Sequence, residues 1–551
     1  MREDELATPL AAWRNLLGAD RVLTGPRLRP YELCTTGLRR AIPAALRPKD
    51  ALEIASILEL ARKYQVPLYP VSTGKNWGYG TSNPMVDGCI ILDLSSMKRL
   101  EVDRELGLVT LEPGVTQQEL RAYLDRNCPE FMVPTTGAGP DCSILGNALE
   151  RGYGITPHAD HFGAVTALEA VLPDGTLYRS AHSELGGQTI DKAFKWGVGP
   201  YLDGLFAQGN LGVVTQITIA LARRPERVQM FLFGVVEEAR LEDAVLAVQH
   251  MLRTVGGTLG SINLMNARRM LAMTVPYPAD RVGENGVLPP DVFAELTNRH
   301  KVPAWTGVGA LYGSRTMVRA AQKIIKRALK PVSNRVLFLT PESGARLKRI
   351  LGATPLLRRS GLAGRMVTLE KSLRLLAGTP SDVALPLAYW RSAAPPPAGP
   401  LNPARDGCGL IWYPPLVPMK VDAVRRYVNL VSEICVAHGI EPLVTLTTLS
   451  DRCFDSSVPL LFDRSDEGQC ARATACYDAL FEAGKRCGFL PYRLGLQGMD
   501  RVTSSDTPFW NLVRSIKSAT DPHQIIAPGR YAPPPPDEQL ANPGNNPEAT
   551  A

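Results

Sequence analysis

Residues 70–80 read Pro-Val-Ser-Thr-Gly-Lys-Asn-Trp-Gly-Tyr-Gly, with glycines at Gly74, Gly78 and Gly80 set among Ser72, Thr73 and Asn76. Glycine tolerates positive φ and lets a backbone approach a ligand closely. Successive exposed backbone N–H groups in such a loop form an anion-binding concavity, and the hydroxyls and amide add donors suited to phosphate oxygens. No Gly-Lys-Ser/Thr closes the stretch and no Gly-x-Gly-x-x-Gly occurs in it, so neither the Walker loop nor the dinucleotide fingerprint applies. Alone, it reads equally as a cofactor cradle or an ordinary glycine-rich turn.

Three further stretches change the balance. Residues 134–154 read PTTGAGPDCSILGNALERGYG. Gly209-Asn210-Leu211-Gly212-Val213-Val214 leads into an alternating strand, Thr215 to Ala220, and Ala527-Pro528-Gly529-Arg530-Tyr531 follows Asp521-Pro522. In combination the four resemble the FAD-binding domain of the vanillyl-alcohol oxidase and p-cresol methylhydroxylase family, a likeness that runs from about Pro48 to Tyr531. It implies an α+β, two-domain FAD-binding fold with an α/β cap. It also implies cofactor contacts from Val71, Ser72, Thr73, Gly74, Lys75, Asn76, Gly78 and Tyr79, from Pro134, Thr135, Thr136, Gly137, Ser143, Gly146, Asn147, Gly152 and Gly154, and from Gly212, Val213, Val214 and Arg530.

Composition sets outer bounds. A chain of 551 residues is too long for one core. With 45% hydrophobic and 21% charged residues it reads as globular. The net charge of +7 is modest, and no basic cluster interleaved with aromatics points to nucleic acid. Apolar runs fall short of a membrane span, and the acidic start Met-Arg-Glu-Asp-Glu lacks a signal-peptide core, so a cytoplasmic enzyme is expected, with the periplasm left open. Ten cysteines without a Cys-x-x-Cys pair read as free thiols. His158 and His161 lack further ligands nearby, so no metal is expected.

Along the chain, residues 1–47 read as an irregular, partly helical arm. A flavin domain follows over 48–224, opening with an Asp50-x-x-Glu53 capped helix to Tyr64, a strand Val66–Val71, strands Cys89–Leu94 and Leu106–Leu111, and a second capped helix at Thr116-x-x-Glu119. The pattern restarts as a cap over 225–490. Strands are expected at Val228–Val236, Leu410–Tyr413 and Leu443–Leu449, and helices at Leu241–Thr254, Val421–His438 and Ala471–Cys487; Glu342–Leu376 reads as basic and helical. Residues 491–531 return to the flavin domain through a helix Phe509–Ala519, and the Pro-rich tail 532–551 reads as disordered.

The chemistry follows from the resemblance. Arg530 would supply positive charge near the flavin N1–C2=O edge while a donor carbon sits over N5. The family binds a phenol as phenolate through two tyrosines and an arginine, which fall here at Tyr79 and at the adjacent Tyr492-Arg493. A fixed guanidinium and two phenolic donors lower a bound phenol's pKa. The phenolate then eases hydride loss from the para benzylic carbon to give a quinone methide. Trp412 resembles a cap aromatic lining that site, or is plain core; Asp141 is a candidate base or a turn aspartate, because the family's aspartate position holds Gly137-Ala138-Gly139. The family's covalent His or Tyr falls near Asn402, which is no nucleophile, so FAD is expected to be non-covalent, with Cys408 the only neighbour able to link.

The expected function is dehydrogenation of a para-alkylphenol or para-hydroxybenzyl alcohol. Electrons would pass to oxygen or to a separate cytochrome c or other redox protein, and the resemblance implies a homo-oligomer, such as a dimer. The alternatives are a same-fold oxidase of a non-phenolic alcohol, sugar or hydroxy acid, and a catalytically degenerate flavin-binding subunit.

Overall fold

The expected capping residues do start their helices. The Asp50 carboxylate accepts from Glu53 N at 2.9 Å at the head of helix Ala51–Tyr64. Thr116 and Glu119 form a reciprocal capping box at the head of Gln117–Asn127. The computed structural model describes residues 3–352 and 362–532; the expected disorder of the tail beyond 532, and the middle of the expected 342–376 helix, lie outside them. On either side of that middle stand two helices, Pro341–Gly352 and Leu362–Leu376.

Two sheets carry the flavin-binding motifs. The first has four strands in the order Val22–Leu23, Ala45–Leu46, Ile90–Asp93, Leu68–Val71. The N-terminal segment is therefore more than a wrapped arm. Ala44, Ala45 and Leu46 are wholly buried, and helix Glu3–Leu17 packs on Ala51–Tyr64 with the Trp13 indole donating to Ile57 O. The second sheet is antiparallel, in the order Leu100–Asp103, Leu108–Leu111, Val213–Ala220, Val165–Val171, Leu177–Arg179.

The third sheet, the cap, has eight strands, with Trp305–Gly313, Leu259–Asn266, Thr445–Thr448 and Cys453–Asp463 adjacent in that order. Helices Leu241–Val255, Arg315–Leu329, Val421–Ala437 and Glu467–Arg486 bury their apolar faces in its largest core cluster. Five of its strands were not expected: Leu259–Asn266, Trp305–Gly313, Val336–Leu339, Leu416–Pro418 and Cys453–Asp463. Glycine or proline interrupts four of them. In Trp305–Gly313 a Cβ on Gly307 would stand 2.1 Å from the Phe233 ring and one on Gly309 2.4 Å from Phe231, so those glycines make room for aromatics on the paired strand Arg227–Val235.

The last helix, Pro508–Thr520, returns the chain to the flavin-binding part. Leu68 N donates to Ile525 O at 2.7 Å and Ala527 N to Leu68 O at 2.7 Å, adding the C-terminal segment to the edge of the first sheet. A buried ammonium fixes it. Lys517 Nζ donates to Asp521 at 2.5 Å, Asn210 O at 2.7 Å and Ile526 O at 2.8 Å. Removing one partner of a buried ion pair costs about 3–5 kcal/mol. Lys517→Met is therefore expected to lower the urea-unfolding free energy by that amount and to reduce the flavin content of the purified protein; an unchanged midpoint would show that the pair does not hold the segment.

Candidate active site

A cavity of about 470 Å³ lies between the two flavin-motif sheets and the cap. Its floor is the opening loop, Tyr69 to Asn76; its walls are Ser143–Glu150, the 208–212 loop and the Ile526–Arg530 turn. Thr73 Oγ1 accepts from Ser143 N at 3.1 Å, and the Ser143 hydroxyl caps the short helix Ile144–Leu149 through Gly146 N at 2.9 Å. A Cβ on Gly146 would lie 2.4 Å from Ser72 Oγ, and Gly74 has φ +64°. The helix backbone thus meets the loop's hydroxyl side chains, a cradle that a bulkier residue at Gly146 would fill. Hydroxyls, backbone amides and one arginine converge there, a donor set that fits the phosphates and ring edge of FAD.

The tyrosines and arginine singled out in the sequence converge. The Arg493 guanidinium lies 4.2 Å from the Tyr79 ring centroid. Its Nη2 donates to Asn76 Oδ1, and its Nε stands 3.4 Å from a Glu150 carboxylate oxygen. The other oxygen of Glu150 pairs with Arg530, which also donates to Tyr69 OH at 2.9 Å. One carboxylate therefore serves two arginines of the cavity, a role the sequence reading missed although Glu150 sits inside the quoted stretch. The Tyr492 ring packs edge-on to Tyr153 at 5.7 Å. Burial pushes the Tyr79 and Tyr492 hydroxyls up, so both remain neutral donors at neutral pH.

The cap contributes a second missed carboxyl, Asp455. Strand alternation sends Asp455 and Ser457, and Thr445 and Thr447 beside them, into the cavity, while Phe454, Ser456, Val458 and Leu446 are buried on the other side. Asp455 Oδ1 is buried without a hydrogen-bond partner. Burial lifts its pKa to about 7, with Arg493 pulling the other way. Trp412, on strand Cys408–Tyr413, lines the cavity as expected.

Other expected residues lie elsewhere. Asp141 is exposed and outside the cavity lining, on a turn whose Pro140 and Cys142 carbonyls receive the first amides of helix Gln117–Asn127. Pro134, Thr135 and Thr136 are buried behind the wall: Thr135 donates to Leu375 O, and Thr136 is held by Gln117. Gly152 abuts Asn147, and the Val213 side chain is core. Gly78 stands beside the cradle, where Trp412 N donates to its carbonyl and a Cβ would meet the Trp412 indole at 2.2 Å. Asn402 closes a turn with Arg405 and Asp406, and Cys408 is buried outside the lining. Among the described residues no histidine lines the cavity, no cluster could hold a metal ion, and no helix is long and apolar enough to cross a membrane.

Fold and cradle together define an FAD-binding oxidoreductase. A family model described as an FAD binding domain matches residues 42–181. The chain is 37% identical to the 1'-carboxy-chondrochloren decarboxylase of Chondromyces crocatus, over 96% of this chain and 98% of that protein. It is 27% identical to the 4-cresol dehydrogenase [hydroxylating] flavoprotein subunit of Pseudomonas putida, over 96% of each chain. It superposes on substrate-bound p-cresol methylhydroxylase with a TM-score of 0.85 and 25% identity, covering 97% of this chain and 98% of that one. The chain belongs to the vanillyl-alcohol oxidase and p-cresol methylhydroxylase family of FAD-linked flavoproteins.

The Gly78 contact can be tested. Gly78 has φ +76°, so Gly78→Val adds backbone strain on the order of 1–3 kcal/mol to a clash with Trp412. The variant is expected to purify with a lower flavin-to-protein absorbance ratio and a lower Tm; a fully yellow protein of unchanged Tm would show that the loop tolerates a side chain there.

Proposed function

We propose that the protein dehydrogenates a para-alkylphenol or para-hydroxybenzyl alcohol at its benzylic carbon. The carrying observation is the convergence of Tyr79, Tyr492 and Arg493 on one cavity beside Asp455. FAD, when bound, supplies a two-electron acceptor for hydride. Asp455 accepts the phenolic proton, since a base works best with a pKa near the working pH. Tyr79 and Tyr492 then donate to the phenolate oxygen while Arg493 balances its charge. Trp412 and Leu410 wall the cap side of the ring. Electron density pushed to the para position favours hydride loss, and water adding to the quinone methide gives an alcohol.

This reading keeps residues 48–224 with 491–531 as the flavin-binding unit and 225–490 as the cap. It also keeps FAD non-covalent. Cys142 is the cavity's cysteine, and burial pushes its thiol up to about 11, too high for a ready nucleophile. Acid precipitation is expected to release the flavin into the supernatant; flavin retained in the pellet would overturn this.

A second reading, oxidation coupled to decarboxylation, is favoured by the relative named as a decarboxylase. A quinone methide with a carboxylate on the next carbon can take the electron pair of the C–CO2 bond, releasing CO2 and leaving a hydroxystyrene. Measuring CO2 per substrate consumed separates the two, one equivalent favouring the second and none the first.

Loss of a hydrogen bond to a charged group costs about 1.5–3 kcal/mol. Arg493→Ala should therefore lower kcat/KM for phenols by roughly 10- to 100-fold, and unchanged phenol kinetics would sink the phenolate site. Asp455 is the base only when ionised, so kcat/KM should fall as pH drops through about 7. Asp455→Asn should flatten that limb and cost ~10²–10⁴-fold; a pH profile identical to wild type would remove Asp455 from the mechanism.

A further inference from the structure

Arg269 is a further cation of the same cavity. It stands on helix Ala267–Thr274, whose N-cap Asn266 accepts from Arg269 N at 2.9 Å. From there its side chain reaches the cavity, and Nε donates to Thr445 Oγ1 at 3.1 Å. Its Nη1 is buried with no hydrogen-bond partner, and among the described residues no carboxylate pairs with it. Its neighbours are compensated: Arg268 pairs with Glu441, and Arg493 and Arg530 share Glu150. Burial lowers the Arg269 pKa only to about 10, so it stays charged at neutral pH. A buried charge without a partner is costly. Here the residue lines the cavity where a substrate would lie.

The cap sheet gives the spacing. Thr447 pairs with Asp455 and Thr445 with Ser457. Thr445 and Thr447 share a face two residues apart, a step of ~6.8 Å, about the length of a phenol ring with its oxygen. A phenol with its oxygen at Asp455 and Arg493 that lay along this ladder would carry its para substituent toward Thr445 and Arg269.

We propose that Arg269 holds a carboxylate carried on the side chain para to the phenol hydroxyl, which makes the substrate class 4-hydroxyphenyl alkanoates; the orientation rests on the phenol reading above. The guanidinium presents a planar fork that suits a carboxylate. Arg269 is thus a specificity residue, and a neutral 4-alkylphenol would leave its charge uncompensated.

The test is calorimetric titration of the flavin-loaded protein with 4-hydroxycinnamate and its neutral isostere 4-hydroxycinnamamide, neither of which has a benzylic sp³ C–H to oxidise. Wild type is expected to bind the carboxylate ~10- to 100-fold more tightly than the amide, the worth of a charge-assisted hydrogen bond. Arg269→Met should erase that preference while leaving amide affinity within about 2-fold, and Arg269→Lys should keep part of it. Equal weakening of both ligands in Arg269→Met, or no preference in wild type, would overturn the proposal. Flavin content and Tm check that the variants fold. Should Arg269→Met not fold, Thr445→Val, which frees Nε, should reduce the preference, and an unchanged preference would count against the assignment. Cinnamate, lacking the hydroxyl, tells the two readings apart: binding as tight as 4-hydroxycinnamate, lost in Arg269→Met, would overturn the phenol site and keep the carboxylate site. Transfer of the carboxylate preference to Arg493, seen as its loss in Arg493→Ala with Arg269→Met unaffected, would overturn the assignment to Arg269.

Discussion

A lysine ammonium taken out of water has three protons to satisfy, and Lys517 satisfies them with one carboxylate and two carbonyls. The choice of carbonyls matters more than their number. Asn210 belongs to the loop walling the cavity on one side, and Ile526 to the turn that delivers Arg530 on the other. Asp521, the counter-ion, accepts in turn from Ile525 N and Ile526 N. Asn210 then reaches across to Ala527 O with its side-chain amide. Two segments more than 300 residues apart are thereby fixed to one another at the point where a cofactor must be gripped from both sides.

The cap obeys a different constraint, the two-residue period of a strand. The face turned to the helices is almost wholly apolar, and burial of that face holds the cap together. The opposite face roofs a cavity and is free to be polar, which is how a sheet carries an aspartate, a serine, two threonines and an asparagine without loss of its core. The cap's polar groups are thus displayed on a sheet, with their spacing set by backbone geometry, while Tyr79, Tyr492 and Arg493 reach the cavity from loops.

Much of this could be read before any coordinates. Glycine loops announce themselves because close approach excludes other residues, and capping boxes because their partners lie three positions apart. Tyr79, Tyr492 and Arg493 were legible through a family resemblance, not through anything local. Glu150, Asp455 and Arg269 were not legible: each owes its role to burial and to partners far away in sequence, and charged residues on a helix end, a strand and a helix are ordinary elsewhere. The strand bearing Asp455 was itself obscured by Pro459 and by a polar alternation that looks like surface. Asp141 drew attention by its place in a motif, yet the turn directs it to solvent.

The carboxylate of Glu150 lies between two cations of one cavity. Its charge is shared and not duplicated, so an anion settling against Arg493 displaces part of Glu150's attraction toward Arg530, and the reverse holds equally. Thermodynamic reciprocity requires each occupant to alter the other's affinity by the same factor. With Arg530 on the cofactor side and Arg493 on the substrate side, as proposed, cofactor retention and ligand affinity would be linked quantities, joined through a single side chain.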